Sequence, residues 1–256
     1  MSHSFYVLGS SSGLPSADKA TSGYLLKTGE SLTLIDCGGG VTQSFLKRGF
    51  NPLNVDRIVI SHTHSDHVCE LTLFIQLIYL HKRKNPLDLY LPADFITPFK
   101  NYLQAVYLIE EKMPFQINFH PLTDQYIIQN DLFGIQVILN DHLNGYNELI
   151  EKLDLPNKML CFSPMIKTNN KSLLYTSDLA TLNPITKYLK DLDILLIETT
   201  HIDINDLIPA VERQNIGQIV ATHLGTKEEI NAYIQAAHQA GLTNMIVALD
   251  GMEIIL

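Results

Sequence analysis

The chain has 256 residues, 46% of them hydrophobic and 18% charged, the ordinary balance of a globular protein long enough to bury a large core. Lys and Arg number 18 against 27 Asp and Glu, a net charge of −9, so the broad basic footprint of a general nucleic-acid binder is missing. The three cysteines, Cys37, Cys69 and Cys161, are odd in number and widely spaced, which argues against a disulfide framework and for a reducing compartment.

The N-terminal MSHSFYVLGSSSG lacks the basic start and long apolar stretch of a secretory leader, so the expectation is a cytoplasmic protein. FYVLG, GYLLKT and SLTLIDCGG read as short strands separated by Gly, Ser or Pro. Gly9 and Gly13 lack the Lys-Ser/Thr of a phosphate loop and read as a turn at the mouth of a site. A short helix, VTQSFLKRGF, follows the glycines at 38 to 40, and RIVISHTHSDH then runs from a buried strand into a His/Asp cluster. Apolar spacing predicts a helix over about 68–81, whose LTLFIQLIYL is too short to span a bilayer. HKRK at 81–84 reads as its solvated end.

LDLYLP is a further strand, followed by a helix over about 93–112 and strands FQINFH, QYIIQ and FGIQVILND. Strands KMLCFSPMIKT and SLLYTSD come next, then a short helix near 183–189, strand DILLIETTH, a helix over about 203–214 and strand QIVATHLG. TKEE from Thr226 resembles a capping box and opens the last helix, which Gly241 closes. NMIVALDGMEIIL reads as a hairpin turning at Asp250-Gly251, and the cysteines read as buried. Strands outnumber helices and fall in two blocks. This order predicts an α+β chain of two sheets packed face to face with helices outside, as a single domain over 1–256.

The decisive stretch is His62-Thr63-His64-Ser65-Asp66-His67, four metal-binding groups in six residues at the end of an apolar strand. Composition alone would place such a run in about one chain in a thousand, so coincidence is a poor account of it. Extended backbone points His62 and His64 the same way, and a turn can bring Asp66 and His67 round to a second position. Imidazole and carboxylate together suit zinc. Three further candidates, His142, Asp178 and His223, each end an apolar strand beside turn residues, where layered folds gather their sites.

These residues resemble those of the metallo-β-lactamase-fold hydrolases, an αββα sandwich with a dinuclear metal site. HTHSDH matches that family's HxHxDH motif at every specified position. Within the family the chain is most similar to the ribonuclease Z and cyclic-phosphodiesterase branch, through FYVLGSSSGLPS, LTLIDCGGGVTQ, VDRIVISHTHSDH, DHLNGY, LLYTSD, VATHLG and ALDGMEI. The resemblance implies that His62, His64 and His142 bind one metal, that Asp66, His67 and His223 bind a second, and that Asp178 bridges both. It implies that Asp36 braces the histidine loop. Imidazole at position 64, where di-iron relatives carry a carboxylate, favours two Zn²⁺, with Mn²⁺ the alternative. NDHLNGY replaces the GHTPG-like stretch of thioester hydrolases of the glyoxalase type.

The implied activity is hydrolysis of a small cyclic or nucleotide-like phosphodiester by a metal-bound hydroxide, with the metal charge drawing an anion to an acidic protein. Asp66, as a ligand, would belong to the catalytic set. His201 is the candidate general acid, since its spacing to His223 is similar to that of the proton-donor histidine in phosphoribosyl cyclic phosphodiesterases, and Glu198 would orient it. Two alternatives stand beside this: a ribonuclease Z-like endoribonuclease acting on RNA, and a non-catalytic metabolite-binding member. Ribonuclease Z inserts a tRNA-gripping arm between the third histidine and the bridging aspartate. Here only positions 143–177 lie between them, and LIEKLDLPNK is a short substitute. The expected partners are a small anionic substrate, or RNA on the second reading, and a second copy of the chain as a homodimer. No membrane is expected.

Overall fold

The computed structural model describes residues 3–256. Its strands are β1 (His3–Gly9), β2 (Gly23–Thr28), β3 (Ser31–Ile35), β4 (Val55–Val59), β5 (Leu87–Pro92), β6 (Ile117–Leu122), β7 (Ile127–Gln129), β8 (Phe133–Leu139), β9 (Phe162–Thr168), β10 (Ser172–Tyr175), β11 (Ile194–Glu198), β12 (Gln218–Thr222), β13 (Met245–Val247) and β14 (Glu253–Ile255). The α-helices are α1 (Val41–Lys47), α2 (Ser65–Val68), α3 (Leu71–Leu80), α4 (Ile96–Ala105), α5 (Asn147–Leu153), α6 (Ile204–Val211) and α7 (Lys227–Gln239). They fall into two compact units. No helix among the described residues is long and apolar enough to cross a membrane.

Among the described residues the first unit comprises 3–9, 15–123 and 250–255 and holds a seven-stranded sheet ordered β14-β1-β2-β3-β4-β5-β6. Its β1, β2, β3 and β14 pair antiparallel, while β3 to β6 run parallel. Helix α3 buries Leu71, Phe74, Ile75 and Ile78, an i, i+3, i+4, i+7 stripe, and Phe74 meets the edge of Phe45 from α1 at 5.2 Å. These join Leu25, Leu34, Ile58 and Leu89 in the unit's core.

The second unit comprises 10–14, 124–249 and 256, with its sheet ordered β13-β12-β11-β10-β9-β8-β7. Here β7 to β10 pair antiparallel and β10 to β13 run parallel, so the two sheets share one plan. Leu207 and Val211 of α6 and Tyr233 and Ala237 of α7 pack on Leu174, Leu195, Ile197 and Ile219. The capping box at Thr226 forms: its hydroxyl accepts from the Glu229 N–H, and the Glu229 carboxylate accepts from the Thr226 N–H at 2.8 Å.

Several elements differ from the sequence expectation. The helix over 68–81 is broken between α2 and α3. The backbone bond that would join them is diverted at both ends: Asp66 O accepts from Thr21 Oγ1 at 2.8 Å, and Glu70 N donates to Cys37 O at 3.0 Å. The helix over 93–112 stops after Ala105, where Tyr107 takes a left-handed conformation (φ 63°). Arg83 does not belong to a solvated end. It is buried and donates to the carbonyls of Leu53, Asn85 and Pro86, tying the chain after α3 to the entry of β4. The C-terminal segment is not a hairpin: β13 pairs with β12 in one sheet, and β14 pairs with β1 in the other. Asp250-Gly251 still turns the chain, with Gly251 at φ 88°. Cys37 and Cys161 are buried as expected, whereas Cys69 is exposed.

The segment after β3 is stitched to the histidine loop. Cys37 N donates to His67 O at 2.7 Å, and Gly39 N donates to Thr21 Oγ1 at 2.7 Å. Gly38 allows this approach: a Cβ there would lie 1.9 Å from Asp66 O and 2.2 Å from Thr21 Oγ1. The backbone must therefore shift to admit any side chain. Gly38→Ala is expected to lower stability by about 2 kcal/mol or more, read as a fall of roughly 5 °C or more in the thermal midpoint. An unchanged midpoint would show that the loop adapts freely.

Candidate metal centre

In the first unit, β4 ends at Val59, and Ile60-Ser61 lead into His62. Asp36 follows β3, the parallel neighbour of β4, in a left-handed conformation (φ 58°). Asp36 N donates to Val59 O at 2.9 Å, which joins the two strand ends. Its carboxylate, wholly buried, accepts from Ser61 N at 2.7 Å, Ser61 Oγ at 2.9 Å and His67 Nδ1 at 2.8 Å. A carboxylate removed from water needs such donors, and these tie down both ends of the loop. With Nδ1–H committed to Asp36, His67 presents Nε2 3.4 Å from Asp66 Oδ2. Ser61 Oγ gives its proton to Asp36, so its 3.2 Å contact with His62 Nδ1 receives a proton from that ring. One acid thereby orients His67 directly and His62 through a hydroxyl. The ligand atoms of His62 and His64 lie within 4.8 Å of each other.

In the second unit the candidates stand where strands end. His142 follows β8, Asp178 follows β10, Glu198 ends β11 and His223 follows β12. The last three lie at the carboxyl ends of parallel strands, the usual place for ligands in such sheets. Ser177 (φ 52°) and His223 (φ 51°) hold left-handed backbone, which costs of order 1 kcal/mol each and re-aims the side chains beyond the strand ends. His142 N donates to Asn140 Oδ1 at 3.1 Å, and Asn140 Nδ2 donates to Ser163 Oγ at 3.0 Å. The Asp141 carboxylate accepts from Ala180 N and Thr181 N at 3.1 Å, which anchors the segment beyond Asp178. His142 Nε2 and His223 Nε2 then lie 3.6 and 3.4 Å from the same oxygen, Asp178 Oδ2.

These separations exceed ordinary hydrogen-bond lengths. They match ligand atoms sharing one small cation: two donors about 2.1 Å from tetrahedral zinc stand about 3.4 Å apart. The donors are imidazoles and carboxylates, a set that suits zinc. Cys69, near the loop, falls in none of the groups of converging ligand atoms. Partial burial pushes its thiol pKa up, and Glu70 and Asp66 add to the shift, while burial holds the Cys37 thiol well above its ordinary range.

His201 lies beside this set. Its ring centroid is 4.8 Å from that of His142 and 5.7 Å from that of His223. Its Nδ1 donates to Glu198 Oε1 at 3.2 Å; the His201 side chain is 42% exposed and that of Glu198 wholly buried. Glu198 Oε2 also accepts from Thr200 N at 2.8 Å and His201 N at 2.9 Å. Of the candidates named from the sequence, Asp36, His62, His64, Asp66 and His67 lie in the first unit, and His142, Asp178, Glu198, His201 and His223 in the second. Ser61 and Thr200 are bonded into these groups and were not anticipated. A hydroxyl residue at a strand end carries no distinguishing signal beyond lying next to a candidate ligand.

The fold is that of the metallo-β-lactamase proteins, the class that the motif led us to expect. The metallo-β-lactamase-fold protein YhfI from Bacillus subtilis superposes with a TM-score of 0.78 at 19% identity, covering 100% of both chains. The short form of human tRNase Z gives 0.74 at 17% identity, covering 98% of each. A ribonuclease Z from Picrophilus torridus is 28% identical over 149 residues, which are 58% of this chain and 47% of that protein. The chain spans about half the length of the first such relatives. Residues 3–242 match the family described as Anti-Pycsar protein Apyc1, and the chain belongs to that family.

Asp36→Asn keeps the shape of the side chain but can disturb its contacts with His67 and Ser61. It is expected to weaken zinc binding about 10–100-fold, measured by competition with a chromogenic chelator. Wild-type affinity in this variant would show that the loop orients itself without the acid.

Proposed function

We propose that this protein is a metal-dependent hydrolase acting on a small cyclic or nucleotide-like phosphodiester. In this reading His62, His64 and His142 hold one divalent cation, Asp66, His67 and His223 a second, and Asp178 both. Zinc is the expected metal and manganese the alternative. The observation that carries the proposal is the spacing of 3.4 to 3.6 Å between Nε2 and carboxylate oxygens in the Asp66–His67, Asp178–His142 and Asp178–His223 pairs. Bound cations would supply Lewis acidity toward phosphoryl oxygens and lower the pKa of a water.

The chain's own residues supply the remainder. His201 is half in water and half against a buried acid, so it can carry a proton on Nε2 toward a leaving oxygen while Glu198 holds Nδ1–H. The histidines and Glu198 fix the orientation of the site without solvent reorganisation. Likeness to proteins named ribonuclease Z supports a hydrolytic reading. The relatives named ribonuclease Z favour RNA as a second substrate class. Against that reading, helix α5, in the stretch between His142 and Asp178, sets Glu148 and Glu151 against the single Lys152, a poor grip for a polyanion.

Metal-loaded protein is expected to hydrolyse bis(p-nitrophenyl) phosphate and cyclic mononucleotides, and chelation is expected to abolish both activities. Equal rates with and without metal would defeat the proposal, and faster cleavage of precursor tRNA would favour the second reading. His201→Ala is expected to cut turnover about 100-fold with metal content unchanged. Near-normal turnover would remove His201 from the mechanism.

A further inference from the structure

We infer that Thr200 is a positioning residue that holds His223 in the one tautomer able to ligate a cation through Nε2. The inference rests on the reading of His223 as a metal ligand. Thr200 Oγ1 lies 2.7 Å from His223 Nδ1, 3.1 Å from Glu198 Oε2 and 3.2 Å from His201 Nδ1, the last an N–H that also faces the Glu198 carboxylate. A hydroxyl has one proton to give, and an ionised carboxylate can only accept. Thr200 therefore donates to Glu198, and its oxygen accepts from Nδ1–H of His223. The ring is left with its lone pair on Nε2, the atom 3.4 Å from Asp178 Oδ2.

Glu198 cannot do this by itself. Its Oε2 stands 3.9 Å from His223 Nδ1, beyond hydrogen-bond length, and the hydroxyl spans the gap. The acid serves two rings: His201 through Oε1, and His223 through Thr200. The same device occurs in the first unit, where Asp36 contacts His67 directly and His62 through Ser61. The proposed proton donor and a proposed metal ligand thus depend on one buried carboxylate, and Thr200 is the joint between them. Loss of a group that orients a metal ligand typically weakens metal binding 10–100-fold.

Thr200 is an exposed residue, so Thr200→Val removes the hydroxyl without disturbing core packing, and Thr200→Ser restores it. Two readouts test the role: imidazole ¹⁵N–¹H correlation spectra of the metal-free protein, and Zn²⁺ affinity by chelator competition. Wild-type and Thr200→Ser proteins are expected to carry the His223 proton on Nδ1. Thr200→Val is expected to lose that preference and to bind Zn²⁺ about 10–100-fold more weakly, with an unchanged melting curve. A Thr200→Val protein that keeps the wild-type tautomer, or the wild-type zinc affinity, overturns the inference. Wild-type protein that takes up no zinc defeats the metal-ligand reading instead, and the tautomer spectra then decide the role of Thr200 alone.

Discussion

A carboxylate that water cannot reach is costly unless partners surround it; of the three among the described residues, Asp178 stands with the candidate ligands, while Asp36 and Glu198 are surrounded by hydrogen-bond donors. Neither serves the apolar cores. Each spends its oxygens on backbone N–H groups of a strand-end loop, on a neighbouring hydroxyl and on an imidazole. Such bonding fixes which ring nitrogen carries the proton, a matter of indifference to packing but decisive for a ligand or a proton donor. Left-handed backbone at Asp36, Ser177 and His223 is a further cost, at three of the ten non-glycine residues that adopt it among the described residues. Buried charge spent on orienting imidazoles is better explained by chemistry than by stability.

The fold supplies the positions. In each sheet, antiparallel strands lead into parallel ones, and the polar residues stand just beyond strand ends. The carboxyl-terminal residues of β4, β11 and β12 are buried, so a polar side chain at or just beyond these ends needs partners to offset its loss of water. Small residues then let loops meet. Gly38 brings the chain after β3 against Asp66 O, and through that contact Asp36 reaches both Ser61 and His67.

Much of this was legible in the sequence because it is local. HTHSDH is dense enough to stand out, the strand-end candidates follow apolar runs, and the capping box at Thr226 uses a four-residue signal. What the sequence hid depends on distant partners. The segment over 245–255 has a turn signal and two apolar runs, yet each run joins a strand remote in the chain, which local patterning cannot reveal. The break between α2 and α3 comes from Thr21 and Cys37 taking the helical bonds. Arg83 looks like part of a charged helix end but lies among carbonyls contributed partly by Leu53, thirty residues earlier. Ser61 and Thr200 are common residues whose roles appear only when the acids behind them are located.

The central claim is that imidazoles oriented by buried acids hold a pair of cations. Its most direct test is an anomalous-difference map at the zinc edge from crystals grown with zinc. The account predicts two peaks per chain, about 3.5–4 Å apart, one against His62 and His64 and the other against His67 and His223. No peak at these side chains, or a single ion with a closed coordination sphere, would contradict it.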